Sequence, residues 1–193
     1  MSYNKYIKYK TKYLMLKQMQ GGKKDETGIT ITPIHTMTPS DTNEFVIMTS
    51  DHTTMKTIGK GEIWNDKYVR DLIKYSKQDF NQPNPSYYHY VIKKDNRVAG
   101  YVGLHPMIYP YKGELQLRYI ISPEYRGQGI ATDAVKKFIG IVRKKVMKYH
   151  HRIWSVNLDQ NVPANKVSLK AGLTYTQREK IDGEWYNYYL LNL

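Results

Sequence analysis

Residues 121–135, with the sequence ISPEYRGQGIATDAV, form the most informative stretch of this 193-residue chain. The apolar segment Leu115–Ile121 predicts a buried strand, Pro123 marks a turn, and an amphipathic pattern after the loop predicts a helix. Gly127 and Gly129 can take positive φ angles, which let a backbone approach a ligand closely. Because helix N-termini attract anions, this strand, glycine loop and helix predict a pyrophosphate site.

The spacing of the glycines distinguishes between known pyrophosphate loops. The dinucleotide fingerprint G-x-G-x-x-G would need a glycine at Thr132, and the G-K-[ST] ending of the P-loop is absent. The pattern present is Arg126-x-x-Gly129-x-Ala131 after Pro123. It closely resembles the coenzyme A loop, Q/R-x-x-G-x-G/A, of the GNAT superfamily of N-acetyltransferases.

A second segment, residues 161–173 (NVPANKVSLKAGL), predicts a short helix that ends at Gly172. It is similar to the second signature of the same superfamily. The matching positions are held by Asn161, Ala164, Val167, Lys170 and Gly172. Leu173 stands where the superfamily usually has phenylalanine.

The remaining patterns agree with a mixed α+β chain. Apolar segments and turn residues predict the order strand, two helices, three strands, helix, strand, helix and two strands, with hairpin turns at 94–97 and 181–183. The resemblance covers residues 29–193 and implies a central, mostly antiparallel, splayed sheet of about seven strands flanked by about four helices. Within the superfamily, the chain is most similar to the branch of ribosomal-protein N-terminal acetyltransferases and several antibiotic acetyltransferases.

The resemblance implies acetyl-CoA as the acetyl donor and indicates which residues bind it. The pyrophosphate would lie over the amides of Gly127–Thr132, and a backbone N–H of the preceding strand, that of Ile121 first, would polarise the thioester carbonyl. The implied cofactor-binding residues are Tyr119, Ile120, Ile121, Arg126, Gly127, Gln128, Gly129, Ile130, Ala131, Thr132 and Asn161. Asn161 equally suits the N-terminal cap of a helix.

The catalytic acid and base are less well defined by the motifs. Many relatives protonate the leaving thiolate with a tyrosine, and Ser168 holds that position here. Its hydroxyl would orient a water or hydrogen-bond the sulfur. Glu114 opens the central strand and is the candidate general base, acting through water, although it also suits an exposed strand end. Tyr109, Tyr111 and His105 are candidates for the acceptor pocket.

Composition excludes several classes of site. The chain has no cysteine, so disulfides, a catalytic thiol and thiolate metal sites are excluded. Its six histidines lack metal-site spacing, and we expect no metal. No apolar run reaches about 18 residues, so no membrane span is expected. We expect one catalytic domain, 29–193, in a cytoplasmic protein that is a monomer or a homodimer.

Residues 1–28 differ in composition from the rest of a chain whose net charge is +13. Residues 1–24 contain seven lysines, interleaved with tyrosines, and no acidic residue, which is unlike a signal peptide. The stretch resembles Lys/Tyr-rich leaders of giant DNA virus proteins, which would place the protein in host cytoplasm. It suits weak polyanion binding, including single-stranded nucleic acid, or a solvated or partner-docked appendage.

Together these patterns predict an acetyl-CoA-dependent N-acetyltransferase that acts on a primary amine by direct attack in a ternary complex. An α-amine, with a pKa of about 7.7–8.0, needs less help from a base than a lysine side chain at about 10.4. The absence of strong catalytic groups therefore favours a protein N-terminus or a small amine as the acceptor. The alternatives are a catalytically weak CoA-binding protein of this fold and a nucleic-acid-binding protein that acts through its leader.

Overall fold

A computed structural model of the protein describes residues 28–56, 58 and 61–193. The strands are β1 (Ile29–Pro33), β2 (Tyr88–Lys94), β3 (Arg97–Pro106), β4 (Leu115–Ile121), β5 (Arg152–Leu158), β6 (Thr174–Ile181) and β7 (Glu184–Asn192). The helices of this part of the chain are α1 (Pro39–Ser50), α2 (His52–Met55), α3 (Asp66–Phe80), α4 (Ile130–Val146) and α5 (Val162–Lys170). The mixed α+β fold with seven strands is confirmed.

The described residues contain five helices where about four were expected. The additional element is α2, a single turn of four residues. Its N-cap is Asp51, whose carboxylate accepts hydrogen bonds from the backbone N–H groups of Thr53 and Thr54. So short a helix shows no 3.6-residue repeat, so periodicity cannot reveal it.

The strands form one sheet in the order β1-β2-β3-β4-β5-β7-β6. Every neighbouring pair is antiparallel except β4 and β5, which run parallel. That parallel pairing covers only Leu115 with Ile153 and Gln116 with Trp154. Beyond this point the two strands diverge, which confirms the splayed sheet and leaves a cleft between them.

Both faces of the β1–β4 half carry a hydrophobic core. On one face α4 packs against the sheet, with the Phe138 side chain fully buried. On the other face, α1–α3 cover a cluster that includes Phe45, Trp64 and Tyr101. Because side chains alternate along a strand, neighbouring β4 residues serve opposite faces.

The N-terminal ends of α4 and α5 border the cleft. Helix α4 begins directly after Gly129, which has a left-handed conformation (φ 80°, ψ −8°). Helix α5 begins after Asn161, whose side chain accepts a hydrogen bond from the Ala164 N–H. The chain leaves α5 through Gly172 at φ 97°, as its position in the sequence predicts.

Candidate active site

A cavity of about 730 Å³ occupies the cleft between β4 and β5. Its wall includes residues from both faces of the sheet: the glycine loop and α5 on one side, Thr54 and Ile58 on the other. The predicted cofactor residues in the wall are Tyr119, Ile120, Ile121, Arg126, Gly127, Gly129, Ile130, Ala131, Thr132 and Asn161. The volume is typical of a small-molecule site.

The glycine loop has the geometry of an anion cradle. Gly127 and Gly129 have φ angles of 76° and 80°, and the space where a β-carbon would project is open at both. The Arg126 Nε donates a hydrogen bond to the Ile121 carbonyl oxygen at 3.0 Å, which joins the loop to the end of β4. The backbone N–H groups at the start of α4 therefore lie at the cavity wall, where they favour negative charge.

The edge of β4 that faces the cleft carries backbone groups outside the β3–β4 ladder. The Ser122 N–H donates to the Ala99 carbonyl oxygen, and the Met107 N–H donates to the Glu114 carbonyl oxygen. These two bonds show that the even-numbered positions of β4 direct their backbone groups towards β3. By alternation, Tyr119 and Ile121 direct their N–H groups towards the cleft, whereas Ile120 directs its own towards β3. The Ile121 N–H therefore faces the cleft and the Ile120 N–H does not, and the action of Ile121 on a bound carbonyl stays a prediction.

Gln128, the remaining predicted cofactor residue, lies outside the cavity wall. Its side-chain amide donates to the Glu124 carbonyl oxygen at 3.0 Å, and its Oε1 accepts from the Lys94 Nζ at 2.8 Å. These two bonds hold the exposed side of the loop. The contribution of Gln128 to binding stays a prediction, and the contacts point to loop shape as its role.

Ser168 is fully buried and lies behind the cavity wall. Its hydroxyl donates to the Ser155 Oγ and accepts from the Asn157 Nδ2, each at 3.0 Å. Asn157 and Tyr119 do line the cavity, and the Tyr119 hydroxyl donates to the Ala164 carbonyl oxygen at 3.1 Å. Ser168 can therefore influence a bound ligand only indirectly, through its hydrogen bond with Asn157 and its closeness to Tyr119.

The Tyr119 hydroxyl is poised to remain protonated. Burial raises its pKa well above the ordinary value for tyrosine, and the nearby Ser168 hydroxyl lowers it in part. At neutral pH the phenol is therefore protonated, and its raised pKa makes it a weaker acid than an ordinary tyrosine. The motifs pointed to Tyr119 only for its backbone, since nothing local indicates that its side chain approaches Ser168.

Glu114 lies immediately before β4, where β4 and β5 are still paired. Its carboxylate forms an ion pair with Arg152 and accepts a hydrogen bond from the Trp154 Nε1. The side chain is 23% exposed and stands outside the cavity wall. Its role as a general base stays a prediction, and from this place it requires a relay of water.

The cavity also contains residues that the motifs did not indicate, notably Gln116, Arg118 and Asn157. Arg118 interrupts an apolar strand and points to the face covered by α1–α3. A charged residue within a buried strand is a signal that sequence reasoning could have used. Asn157 offers no such signal, because its place depends on the contact between β5 and α5.

A buried His–Tyr–His chain lies on the same face. The Tyr101 Oη is joined by 2.7 Å hydrogen bonds to the His89 Nδ1 and to the His105 Nε2. Burial lowers the pKa of His89 to about 4. Burial also lowers the pKa of His105, to about 2, and the neighbouring His89 and Arg118 add to this decrease. Both imidazoles are therefore neutral at physiological pH.

The three candidates for the acceptor pocket stand outside the cavity wall. His105 belongs to the His–Tyr–His chain just described. The Tyr109 hydroxyl donates to Glu179 at 2.9 Å, and the Tyr111 ring stacks on Trp154 with centroids 4.1 Å apart. Their role in acceptor binding stays a prediction, since each already has a structural partner.

Neutral His89 makes folding sensitive to acid. Because the pKa is depressed from 6.5 to about 4 in the folded state, its stabilising contribution is complete above pH 6.5 and is lost as pH falls towards 4. Between pH 6.5 and pH 5, protonation of His89 in the unfolded state should lower the free energy of unfolding by about 2 kcal/mol. Denaturant melts of His89→Gln should show a smaller loss over that range than the parent. The exposed His52→Gln is the control, and equal losses in parent and His89→Gln would contradict the assignment.

The described residues lack two kinds of feature. Within them, no group of three or more histidine or acidic side chains is arranged to hold a metal ion. No helix among them is long and apolar enough to span a membrane. The predictions for the basic leader fall on residues 1–27, outside the described part of the chain.

Comparisons with solved structures support the fold. The ribosomal-protein-S5-alanine acetyltransferase of Vibrio fischeri is 18% identical, with a TM-score of 0.65 over 87% of this chain and 94% of that one. Spermidine N-acetyltransferase of Vibrio cholerae, solved with CoA and spermine, is 14% identical, with a TM-score of 0.65 over 86% and 96%. The microcin C7 self-immunity acetyltransferase MccE, solved with acetyl-CoA and AMP, is 18% identical, with a TM-score of 0.63 over 88% and 98%.

Sequence comparison determines the family. No curated protein sequence matches the chain significantly. The family model described as the acetyltransferase (GNAT) domain matches residues 33–174, which is most of the chain and includes the cleft, the glycine loop and α5. The chain therefore belongs to the GNAT acetyltransferase family.

Proposed function

We propose that the protein is an acetyl-CoA-dependent N-acetyltransferase that acetylates a primary amine, either a protein N-terminus or a small amine. The observation that carries this proposal is the cavity at the β4–β5 divergence, which combines a glycine-loop anion cradle with a free strand edge. A pyrophosphate joined to a thioester-bearing arm requires these two features side by side.

The residues present fit acetyl-CoA. The open space at Gly127 and Gly129 leaves room for a pyrophosphate against the start of α4. The outward backbone groups of Tyr119 suit an amide of the pantetheine arm, which would pair with β4 as an added strand, while the Ile121 carbonyl oxygen already accepts from Arg126. The co-substrate supplies an activated acetyl thioester. Solved neighbours bound to acetyl-CoA and CoA support this choice.

The chain's own groups account for the remaining chemistry. The Ile121 N–H would stabilise negative charge that develops on the carbonyl oxygen. As the amine nitrogen forms its bond to the acetyl carbon, the carbon–sulfur bond breaks, and Tyr119 would donate its proton to the departing sulfur. The amine loses its own proton to water, with Glu114 as the candidate acceptor through a relay. Ser168 is a positioning residue for Tyr119 and Asn157.

The acceptor would approach from the face covered by α1–α3. Arg118, Thr54 and Ile58 line the cavity there, while the glycine loop closes it on the face of α4. Holding both substrates in one cavity would make acetyl transfer a direct reaction within a ternary complex. An α-amine suits a site whose candidate base lies outside the cavity wall, because an α-amine is partly unprotonated near neutral pH.

A thiol-release assay with acetyl-CoA tests the proposal directly. The panel would contain peptides with free N-termini, amino acids, polyamines and aminoglycosides, and mass spectrometry would identify the acetylated nitrogen. We expect thiol release that depends on one amine class. Hydrolysis without acetylated product would contradict the proposal.

The second candidate is a CoA-binding protein without useful catalysis. The observation that favours it is the fully buried Ser168 at the position where many relatives place a catalytic tyrosine. The two candidates differ in turnover alone. Acetyl-CoA that raises the unfolding temperature without thiol release for any amine would favour the second candidate.

A further inference from the structure

Arg118 is a cation without a counter-charge in the cavity wall. It lies in the middle of β4, partly buried, and its guanidinium donates one hydrogen bond to the Gln116 Oε1 at 3.2 Å. None of the ion pairs among the described residues includes Arg118. A partly desolvated guanidinium has five donors, so most of its bonding capacity is left for a ligand.

Among the residues that the structure describes, no carboxylate forms an ion pair with Arg118, although Glu62 and Arg118 both act on the nearby Tyr68. Gly103 on β3 pairs in register with both His89 and Arg118, so these two side chains flank a glycine. His89 and His105 are neutral, because burial and the nearby guanidinium lower their pKa values. The carboxylate of Asp79 is already bonded to the backbone N–H groups of Ser86 and Tyr87.

The position of Arg118 separates it from the proposed cofactor loop. Strand alternation places its side chain on the face of α1–α3, with Thr54 and Ile58 in the same wall. The glycine loop and the start of α4 lie on the opposite face. A pyrophosphate in that cradle would therefore stand across the sheet from the guanidinium.

We propose that Arg118 binds an oxyanion of the acceptor, so that the acceptor is a small primary amine that also carries a carboxylate or a phosphate. This inference rests on the proposed acetyltransferase function and narrows its substrate class. The guanidinium fork matches a carboxylate or phosphate in a bidentate manner, and Gln116 holds it from one side. Binding the anion at Arg118 leaves the amine of the same molecule free to reach the cleft between β4 and β5.

The test compares each anionic acceptor with a partner that lacks its oxyanion. The pairs are β-alanine with β-alaninamide for a carboxylate, and phosphoethanolamine with ethanolamine for a phosphate; spermine represents cationic amines. We expect kcat/KM to favour one anionic member by about tenfold or more, and spermine to be poor, because a hydrogen bond between charged groups has this effect on binding. The pair with the larger ratio identifies the oxyanion.

Variants of Arg118 test whether this residue causes the preference for anionic acceptors. Arg118→Gln should lower the ratio of anionic to neutral acceptor about tenfold, and Arg118→Glu should reverse it. The matched control is Arg97→Gln, which removes an exposed arginine from the neighbouring strand and should keep the parent ratio. Retention of the ratio in Arg118→Gln would overturn the proposal.

Calorimetric binding to the CoA-bound protein keeps this test independent of turnover. Selective binding of β-alanine or phosphoethanolamine over its neutral partner supports the proposal, whether or not the protein transfers an acetyl group. Absence of acetyl transfer would contradict the proposed function and not this inference. Equal binding of both members in each pair overturns the inference while leaving acetyl transfer intact. Loss of the CoA-induced rise in Tm in Arg118→Gln would show a cofactor ligand and also overturn it.

Discussion

The Gly129→Asp variant is expected to lose the rise in Tm that acetyl-CoA produces in the parent protein. A ligand that binds only the folded state stabilises it by mass action, by about 2.7 kcal/mol at 100 times its Kd. Gly129 has a φ of 80° and open space where a side chain would project. An aspartate there would place a carboxylate against the pyrophosphate, and we expect affinity to fall about 100-fold, or ~2.7 kcal/mol.

Two controls separate charge from backbone strain and from general destabilisation. Gly129→Asn has nearly the shape of the aspartate, tolerates the left-handed conformation and carries no charge, so it should retain more affinity. Gly140→Asp introduces the same charge on the exposed side of α4, where a β-carbon also meets open space. Unchanged acetyl-CoA binding in Gly129→Asp would show that the glycine loop is not the pyrophosphate site.

Tyr119→Phe is expected to reduce kcat about 100-fold, the lower end of the range for a general acid, because a thiolate is a fair leaving group. Ser168→Ala should lower kcat about tenfold, which corresponds to about 1.4 kcal/mol of activation free energy. The effect is smaller because the Ser168 hydroxyl lies behind the cavity wall and acts through Tyr119 and Asn157. Both variants keep the backbone of β4, so the acetyl-CoA-dependent rise in Tm should persist. Stopped-flow thiol release separates acetyl transfer from product release.

The combination of these variants is the sharper measurement. If Ser168 works through Tyr119, the double variant Tyr119→Phe/Ser168→Ala should be about as slow as Tyr119→Phe alone. Tyr175→Phe, which removes a half-exposed hydroxyl on β6, serves as the matched control. Parent turnover in Tyr119→Phe would remove Tyr119 from the acid role, whereas effects that multiply in the double variant would show that Ser168 acts independently of Tyr119.

The parts of the site that could be predicted from the sequence depend on neighbours along the chain. The positive φ angles of Gly127 and Gly129 follow from a turn that only glycine adopts without strain. The cap at Asn161 and the stop at Gly172 are likewise signals within one short helix. The hairpins and the order of strands follow from turn residues and apolar alternation, because these features determine pairing over a few residues.

The parts that could not be predicted depend on contacts between distant segments. Ser168 on α5 is buried because it meets Ser155 and Asn157 on β5, and no local pattern shows that its hydroxyl faces away from the cavity. The burial of Arg118 beside two neutral histidines requires knowing that β2, β3 and β4 are adjacent and in which register. The engagement of Glu114 by Arg152 is of the same kind.

The brief pairing of β4 with β5 has a consequence for how this protein can diversify. Alternation along β4 assigns Gln116 and Arg118 to one side of the sheet and Tyr119 and Ile121 to the other. A substitution at position 116 or 118 would change the surroundings of the acceptor. It would leave unchanged the backbone of the strand edge that would hold acetyl-CoA. If Arg118 binds the acceptor as proposed, selection can change the acceptor preference one position at a time along a single strand, without rebuilding the half of the cleft that would bind acetyl-CoA.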